Sequence, residues 1–277
     1  MKTILFDLSE KEETEKIAAL LLDLKRRNVR AIFQTADLQN EEELLMITDS
    51  QEAAKHAKRC DIACVVYEKT DTAKCYGVDM VIQSFEELNT EFFELIYKRH
   101  HGLPWVIVET DRLLIRESIM ADFEAMYALY QEPGMTDFMP GLSTDKKEER
   151  DKFEWYIKNK YAFFGYGLWS VMEKESGTLV GRAGFENSVF QERNIIELEY
   201  MIGASAQAQG YGQETVRALI SYAEHVLDIR ELYTFIQKGN QRSIHMMDKF
   251  GFTEIGSQPQ EVLVFRKKKG GFGGINR

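Results

Sequence analysis

The sequence predicts two successive segments of different class, α/β followed by α+β. Three observations carry this. Up to Gly102, short apolar runs alternate with helical stretches, the pattern of a small parallel sheet covered by helices. A break follows at Arg99-His100-His101-Gly102-Leu103-Pro104-Trp105. Beyond it the apolar runs come in pairs joined by tight turns, so neighbouring strands are mostly antiparallel. The expected domains are 1–102 and 103–267, with a basic, Gly-rich tail at 268–277 that reads as solvated and flexible.

In the first segment, Ile4–Phe6, Val29–Phe33, Leu44–Ile47, Ile62–Val66 and Met80–Ile82 read as strands. Glu12–Arg27, Gln51–Lys58 and Glu86–Lys98 read as helices. No glycine precedes Gly77, which excludes a Gly-rich phosphate loop of the dinucleotide or P-loop type. In the second segment, Glu109–Arg116 reads as one strand. Ala121–Tyr130 and Lys146–Lys158 read as helices, and Gly167–Glu173 and Thr178–Phe185 as a hairpin. A strand at Ile195–Ile202 leads into a glycine loop and a helix, Gln213–Val226. Glu231–Gln237 is a strand, Arg242–Phe250 a helix, and two last strands end near Phe265.

Composition narrows the function classes. The chain has 277 residues, 44% hydrophobic and 29% charged, the balance of a folded globular protein. A net charge of −10 argues against nucleic acid as a partner. No apolar run approaches bilayer-spanning length, and the start, MKTILFDLSEKEE, turns acidic too early for a secretory signal. Neither membrane nor secretion is therefore expected. Three cysteines, Cys60, Cys64 and Cys75, then point to reduced thiols in a cytoplasm. No His or further Cys follows Cys60 and Cys64 at ligand spacing, so no metal site is expected.

Chemistry concentrates at Gln207-Ala208-Gln209-Gly210-Tyr211-Gly212, between the strand Ile195–Ile202 and the helix that follows. A strand, a two-glycine loop and a helix start let backbone N–H groups converge on a phosphate. The helix N-terminus adds positive dipole, and glycine admits close approach of the anion.

The second segment resembles the GNAT superfamily of N-acetyltransferases, and within it the branch of the ribosomal-protein N-terminal acetyltransferases. The resemblance rests on Thr110-Asp111-Arg112-Leu113-Leu114-Ile115-Arg116, on Trp169 with Leu179-Val180-Gly181-Arg182-Ala183-Gly184, and on Glu197-Leu198-Glu199-Tyr200-Met201-Ile202. The Gln-x-x-Gly-x-Gly signature at Gln207, Gly210 and Gly212 follows, then Asn240-Gln241-Arg242-Ser243 and Asp248-Lys249-Phe250-Gly251-Phe252. The resemblance implies a GNAT acyl-CoA N-acyltransferase domain, with acetyl-CoA as donor and a primary amine, on a small molecule or a protein N-terminus, as acceptor. It places the CoA pyrophosphate on the N–H groups from Gln209 through Gly210, Tyr211 and Gly212 to Gln213. The pantetheine arm lies along Tyr200, Met201 and Ile202, with Asn240 and Ser243 beside it. Asn240 also reads as a helix N-cap.

An amine attacks a thioester only when neutral, so a base is needed. Glu197 and Glu199 are two apart on a strand and share a face. They read either as the base or as solvated strand residues. The resemblance puts a thiolate-protonating tyrosine at the position of Met247, which cannot donate a proton. The alternative to catalysis is therefore an acetyl-CoA sensor with little turnover. The aromatic run Tyr161 to Trp169, with Trp155 and Tyr156, reads as an acceptor-site wall or as core, with core preferred for Trp169 and at least one phenylalanine. An oligomer is compatible with the sequence.

The first segment resembles a degenerate haloacid dehalogenase-like domain, a small Rossmann-like parallel sheet. The matching pieces are Leu45-Met46-Ile47-Thr48-Asp49-Ser50, Ala63-Cys64-Val65-Val66-Tyr67 and Val78-Asp79-Met80-Val81-Ile82, with a fainter match at Ile4-Leu5-Phe6-Asp7-Leu8-Ser9. Ser9 stands where the family has a second aspartate, and no matching lysine is present. The resemblance therefore implies a fold without phosphatase activity.

Overall fold

The structure is a computed structural model. It describes residues 1–9, 17–33, 43–68 and 77–270. Cys75, the first part of the expected helix Glu12–Arg27 and the tail from 271 onward lie outside the described residues. The chain divides into two compact units, Met1–Trp105 and Val106–Arg277.

In the first unit, strands β1 (Thr3–Asp7), β2 (Arg30–Ile32), β3 (Leu44–Thr48), β4 (Ala63–Tyr67) and β5 (Met80–Ile82) form one sheet in the order β2-β1-β3-β4-β5. Every pairing is parallel. Helices α1 (Ala18–Arg26) and α2 (Gln51–Arg59) lie between strands, and α3 (Thr90–His100) follows β5. Both faces of the sheet are covered, which explains why β3 and β4 are apolar at nearly every position. Ile4, Phe6, Ile47 and Val65 pack with Leu20 and Leu24 of α1 and Phe93 and Ile96 of α3. The intervening Leu5, Met46 and Cys64 pack with Ala54 and Ala57 of α2. Ser50 caps α2 by accepting from the Ala53 N–H, and Asn89 caps α3 by accepting from Phe92.

The second unit is built on an eight-stranded mixed sheet. Its strands are β6 (Val106–Glu109), β7 (Leu113–Arg116), β8 (Leu168–Glu173), β9 (Leu179–Phe190), β10 (Arg193–Ile202), β11 (Glu231–Gln237), β12 (Thr253–Gln258) and β13 (Val262–Lys268). They lie in the order β12-β13-β11-β10-β9-β8-β7-β6. The expected single strand Glu109–Arg116 is instead a hairpin, β6–β7. Thr110 makes the turn by hydrogen-bonding Leu113 through both backbone and hydroxyl. Helices α4 (Phe123–Tyr130), α5 (Lys146–Phe164), α6 (Tyr211–His225) and α7 (Gln241–Lys249) complete the unit. Helix α5 runs past the expected end at Lys158 and stops at Gly165, whose φ of 73° is the left-handed conformation that closes helices. Strand β13 extends through Lys267, which is buried, to Lys268. The ordered sheet thus reaches into the stretch expected to be tail.

The main core lies between the sheet and α6 and α7. Trp169, Phe185, Leu198, Val216, Leu219 and Met247 are all fully buried there. On the other face, Met201 packs with Phe123, Met126 and Leu129 of α4 and Phe153 of α5. A buried ion pair ties α4 to the strands. Arg116 grips Asp122 at 2.6 and 2.7 Å, and Asp122 also accepts from the Ser170 hydroxyl and the Ile119 N–H.

All neighbouring pairs in this sheet are antiparallel except one. Strands β10 and β11 run parallel and register at a single pair, Glu197 with Tyr233. Beyond Glu197 they diverge. Strand β10 is meanwhile held over its full length by β9, from Arg193–Phe190 to Ile202–Gly181. On its other side β9 fits closely against the start of β8: a Cβ on Gly184 would stand 1.9 Å from the Gly167 carbonyl oxygen. Gly184→Ala is expected to lower stability by about 1–3 kcal/mol, the range for overpacking a filled site. A melting temperature equal to that of the parent protein would show that the contact is not constraining.

Candidate active site

The divergence of β10 and β11 leaves a cleft of about 830 Å³ in the second unit. Its walls are Glu197 to Ile202 on one side and Thr234 to Gln237 on the other. The glycine loop and the N-terminal end of α6 close one end, and α7 contributes Asn240, Arg242 and Ser243. Of the residues singled out in the sequence, Glu197, Glu199, Tyr200, Met201, Ile202, Gln207, Gly210, Tyr211, Gly212, Gln213, Asn240 and Ser243 all line it. Gln209 does not; its carbonyl accepts from Arg112 at 3.0 Å, outside the lining.

The loop is shaped to expose its backbone donors. Ala208 and Gly210 are both left-handed, with φ of 63° and 86°. Left-handed residues in a tight turn bring neighbouring N–H groups toward one side, as in an anion nest. From Ala208 to Gln213, no backbone N–H has an acceptor among the described residues; the next one, Glu214, donates to Gly210. Gly210 is the N-cap of α6 and makes no side-chain cap. The donors of the first helical turn are therefore free for a ligand. A Cβ on Gly210 would meet the Arg112 guanidinium at 3.4 Å, and one on Gly212 would meet Met246 at 3.3 Å.

Sequence reasoning missed what braces this loop. Arg112 pairs with Glu214 at 2.6 Å and lies over the Tyr211 ring at 4.6 Å. The Tyr211 hydroxyl donates to Glu173, and Thr110 donates to Glu214 at 2.5 Å. Gln207 has a structural role: its Nε2 donates to the Ile202 carbonyl at 2.9 Å, and its Oε1 accepts from Arg242 at 2.6 Å. It ties the end of β10 to α7. Lys249, on the same helix, donates to the Gln213 side chain at 2.7 Å.

Asn240 caps α7 by accepting from the Ser243 N–H at 3.1 Å, and both residues still face the cleft. The hydroxyls of Tyr200 and Ser243 are hydrogen-bonded at 2.9 Å. Burial raises the Tyr200 pKa, so this phenol stays protonated at neutral pH. Met247 is fully buried in the core and does not line the cleft, where Met246 and His245 stand instead.

Glu197 sits where β10 and β11 part. Burial, reinforced by the neighbouring Glu199 carboxylate, pushes its pKa up to about 7, against the lowering effect of a 2.5 Å hydrogen bond from Ser188. Glu199 is half-buried and its pKa is also raised, by burial first and by Glu186 second. No group among the described residues hydrogen-bonds to Glu199. Both carboxylates lie on the β9–β10 face that carries Arg182 and Glu186.

The aromatic run divides differently from expectation. Trp169 is core, as preferred, but Phe163 is 81% exposed and Phe164 39%. They form the last turn of α5, outside any core, and Tyr161 is the buried residue there. Trp155 is exposed too, whereas Tyr156 lies over the sheet and donates to Glu186.

Comparisons with known proteins bear on this unit. A family model described as an acetyltransferase (GNAT) domain matches residues 112–253, just over half of the chain. The uncharacterized protein YkkB of Bacillus subtilis is 27% identical over 143 residues, 51% of this chain and 82% of its own length. The uncharacterized N-acetyltransferase YoaA of the same organism is 25% identical over 156 residues, 54% of this chain and 84% of its own. Among solved structures, the ribosomal-protein-S5-alanine acetyltransferase of Vibrio fischeri is 12% identical, with a TM-score of 0.51 over 59% of this chain and 96% of that one. RimL, a ribosomal L7/L12 α-N-protein acetyltransferase in complex with coenzyme A, is 17% identical, with a TM-score of 0.50 over 59% and 98% of the two chains. The solved structures share the fold, and the family model covers the strands, the glycine loop and the helix that form the cleft. The chain belongs to the GNAT acetyltransferase family.

Proposed function

We propose that this protein moves an acetyl group from acetyl-CoA to a primary amine by direct attack in a ternary complex. The observation that carries this reading is the run of six backbone N–H groups, Ala208 to Gln213, without an acceptor among the described residues, five of them on residues lining the cleft that Glu197 also lines. The N–H groups would take the pyrophosphate, with Arg242 and Lys249 supplying positive charge nearby. Past Glu197 the β10 edge facing β11 has no strand partner among the described residues, so its backbone short of the Ile202 carbonyl, which Gln207 occupies, would pair with the pantetheine amides as an added strand does.

The amine nitrogen attacks the thioester carbon, and the carbonyl oxygen gains negative charge. An N–H at Met201 or Ile202 would stabilise it. Glu197, or Glu199 nearer the open cleft, accepts the amine proton. The intermediate then collapses and expels the CoA thiolate. Such a thiolate, of ordinary pKa about 8.5, leaves without an obligatory acid. The protonated Tyr200–Ser243 hydroxyl pair is the donor we assign if one acts, in place of the buried Met247. Two raised-pKa carboxylates on one wall favour a cationic acceptor, either a small amine or a protein N-terminus.

For the first unit we propose the degenerate haloacid dehalogenase-like assignment, without phosphatase chemistry. Asp7 and Asp49 lie at the carboxyl ends of the neighbouring strands β1 and β3. Asp7 accepts from the Thr48 hydroxyl at 2.8 Å, and Asp49 from the Ser9 hydroxyl at 2.6 Å. Carboxylates already engaged by protein hydroxyls do not fit a magnesium site, which demands near-ideal octahedral oxygen ligation. A docking or cover function suits this unit better.

Gly210→Val should weaken CoA binding at least tenfold by calorimetry with the fold retained, because a β-branched residue disfavours the left-handed φ of 86° on which the loop's shape depends. Unchanged affinity would mean that the pyrophosphate binds elsewhere. Glu197→Gln should lower kcat/KM by about 10²- to 10⁴-fold, the usual contribution of a general base. It should also remove an acidic limb centred near pH 7. An unchanged profile would transfer the role to Glu199. The same substitution has a stability signature. A carboxyl whose folded pKa is raised from 4.5 to about 7 favours the fold fully below pH 4.5, and that contribution is lost as pH rises through 7. The melting temperature of Glu197→Gln should therefore fall less than that of the parent between pH 5 and 8.

A further inference from the structure

A second constellation lies in the first unit, away from Asp7 and Asp49. Asp61, His100 and His101 bring one ligand atom each to within 4.8 Å of one another. They come from two places. Asp61, left-handed at φ 55°, is in the turn between α2 and β4, and His100 and His101 end α3. This is the amino-terminal edge of the sheet, the opposite end from Asp7 and Asp49.

The arrangement around His100 is unusually ordered. Its Nδ1 contacts both oxygens of Asp79, at 2.9 and 3.0 Å. Asp79 is itself fixed: its carboxylate accepts from the Cys64 N–H at 2.8 Å, and its own N–H donates to the Cys64 carbonyl. That leaves His100 Nε2 buried, without a hydrogen-bond partner among the described residues, and 3.4 Å from Asp61 Oδ1. A buried polar atom without a partner calls for a missing one. A carboxylate behind the other ring nitrogen is how proteins orient a metal-binding histidine and fix its tautomer. The 3.4 Å gap equals the edge of a tetrahedron whose zinc–ligand distances are about 2.1 Å. His101, packed edge-on against His100 with ring centroids 4.7 Å apart, is exposed and able to turn toward the same point.

We propose that Asp61, His100 and His101 bind a divalent transition-metal ion of the zinc type, with Asp79 as the outer carboxylate that orients His100. Two imidazoles and one carboxylate suit zinc and its neighbours and do not suit magnesium or calcium, which take all-oxygen shells. Three protein ligands leave a fourth position for water or an incoming group. Bound metal would pin the end of α3 to the α2–β4 turn. Spacing in the sequence hides the site, because some 40 residues separate Asp61 from the histidines.

The test uses the full chain without a polyhistidine tag, stripped with a chelator and titrated with zinc by calorimetry. Cobalt(II) reports geometry through its visible spectrum. One zinc per chain is expected, with a tetrahedral cobalt spectrum and a rise in melting temperature. His101→Asn, at an exposed position, should weaken binding at least tenfold while leaving the circular dichroism spectrum unchanged. Asp79→Asn should weaken it about 10- to 100-fold without touching the ion. Two results would overturn the proposal. One is no saturable zinc binding tighter than about 0.1 mM. The other is binding that survives His101→Asn and His100→Gln but is lost in Cys60→Ser, which would make it a thiol site.

Discussion

The second unit depends on one departure from regular sheet pairing. Strands β10 and β11 meet at Glu197 and Tyr233 and then part. A sheet that kept pairing would bury its own backbone groups and leave no room between strands. Parting frees one edge of β10, creates the cleft, and puts Glu197 at its narrow end, where burial raises the carboxyl pKa. The full β9–β10 ladder on the other side holds β10 in place while this edge is open. The two β11 partners, β10 on one side and β13 on the other, are correspondingly unequal: β13 registers with it from Glu231 to Gln237.

Rigidity around the cleft comes from polar ties as well as packing. The Arg116–Asp122 pair, with Ser118 and Ser170 at its side, locks β7, β8 and the start of α4. Tyr161 extends this network, donating to the Leu168 carbonyl at 2.6 Å. Removing one partner from such a buried set costs far more than the set contributes net, since a buried charge is left alone. The glycine loop has its own tie through Arg112 and Glu214. These two residues are brought together from the β6–β7 turn and α6, about a hundred positions apart.

The sequence was most legible where local pattern and burial agree. The fully buried runs of β3 and β4 differ from their expected limits by at most one residue at either end. The glycine loop was legible because its chemistry is backbone chemistry, dictated by where glycine stands. The β6–β7 turn was not, because Thr110-Asp111-Arg112 contains neither glycine nor proline; a threonine hydroxyl does the turning. Met247 was read as standing at the position of a proton-donating tyrosine; helix phase, visible only in the packed structure, puts Met246 at the cleft and Met247 in the core. Gln207 fits a signature by type, yet its side chain serves Ile202 and Arg242. Arg112 was invisible as a site residue because its partner, Glu214, lies about a hundred positions away.

The left-handed Ala208 has a consequence for how the loop behaves. Non-glycine residues adopt that conformation at some cost and hold it when the surroundings determine it. Here it belongs to a loop whose six amides, Ala208 to Gln213, have no acceptor among the described residues. Those amides have no intramolecular protection against hydrogen exchange, although they adjoin a helix whose interior is among the best-packed parts of the unit. A boundary between fast and slow exchange should therefore fall within one helical turn, at Gln213–Glu214. An anion seated on the loop would move that boundary toward Ala208, so the backbone itself reports occupancy.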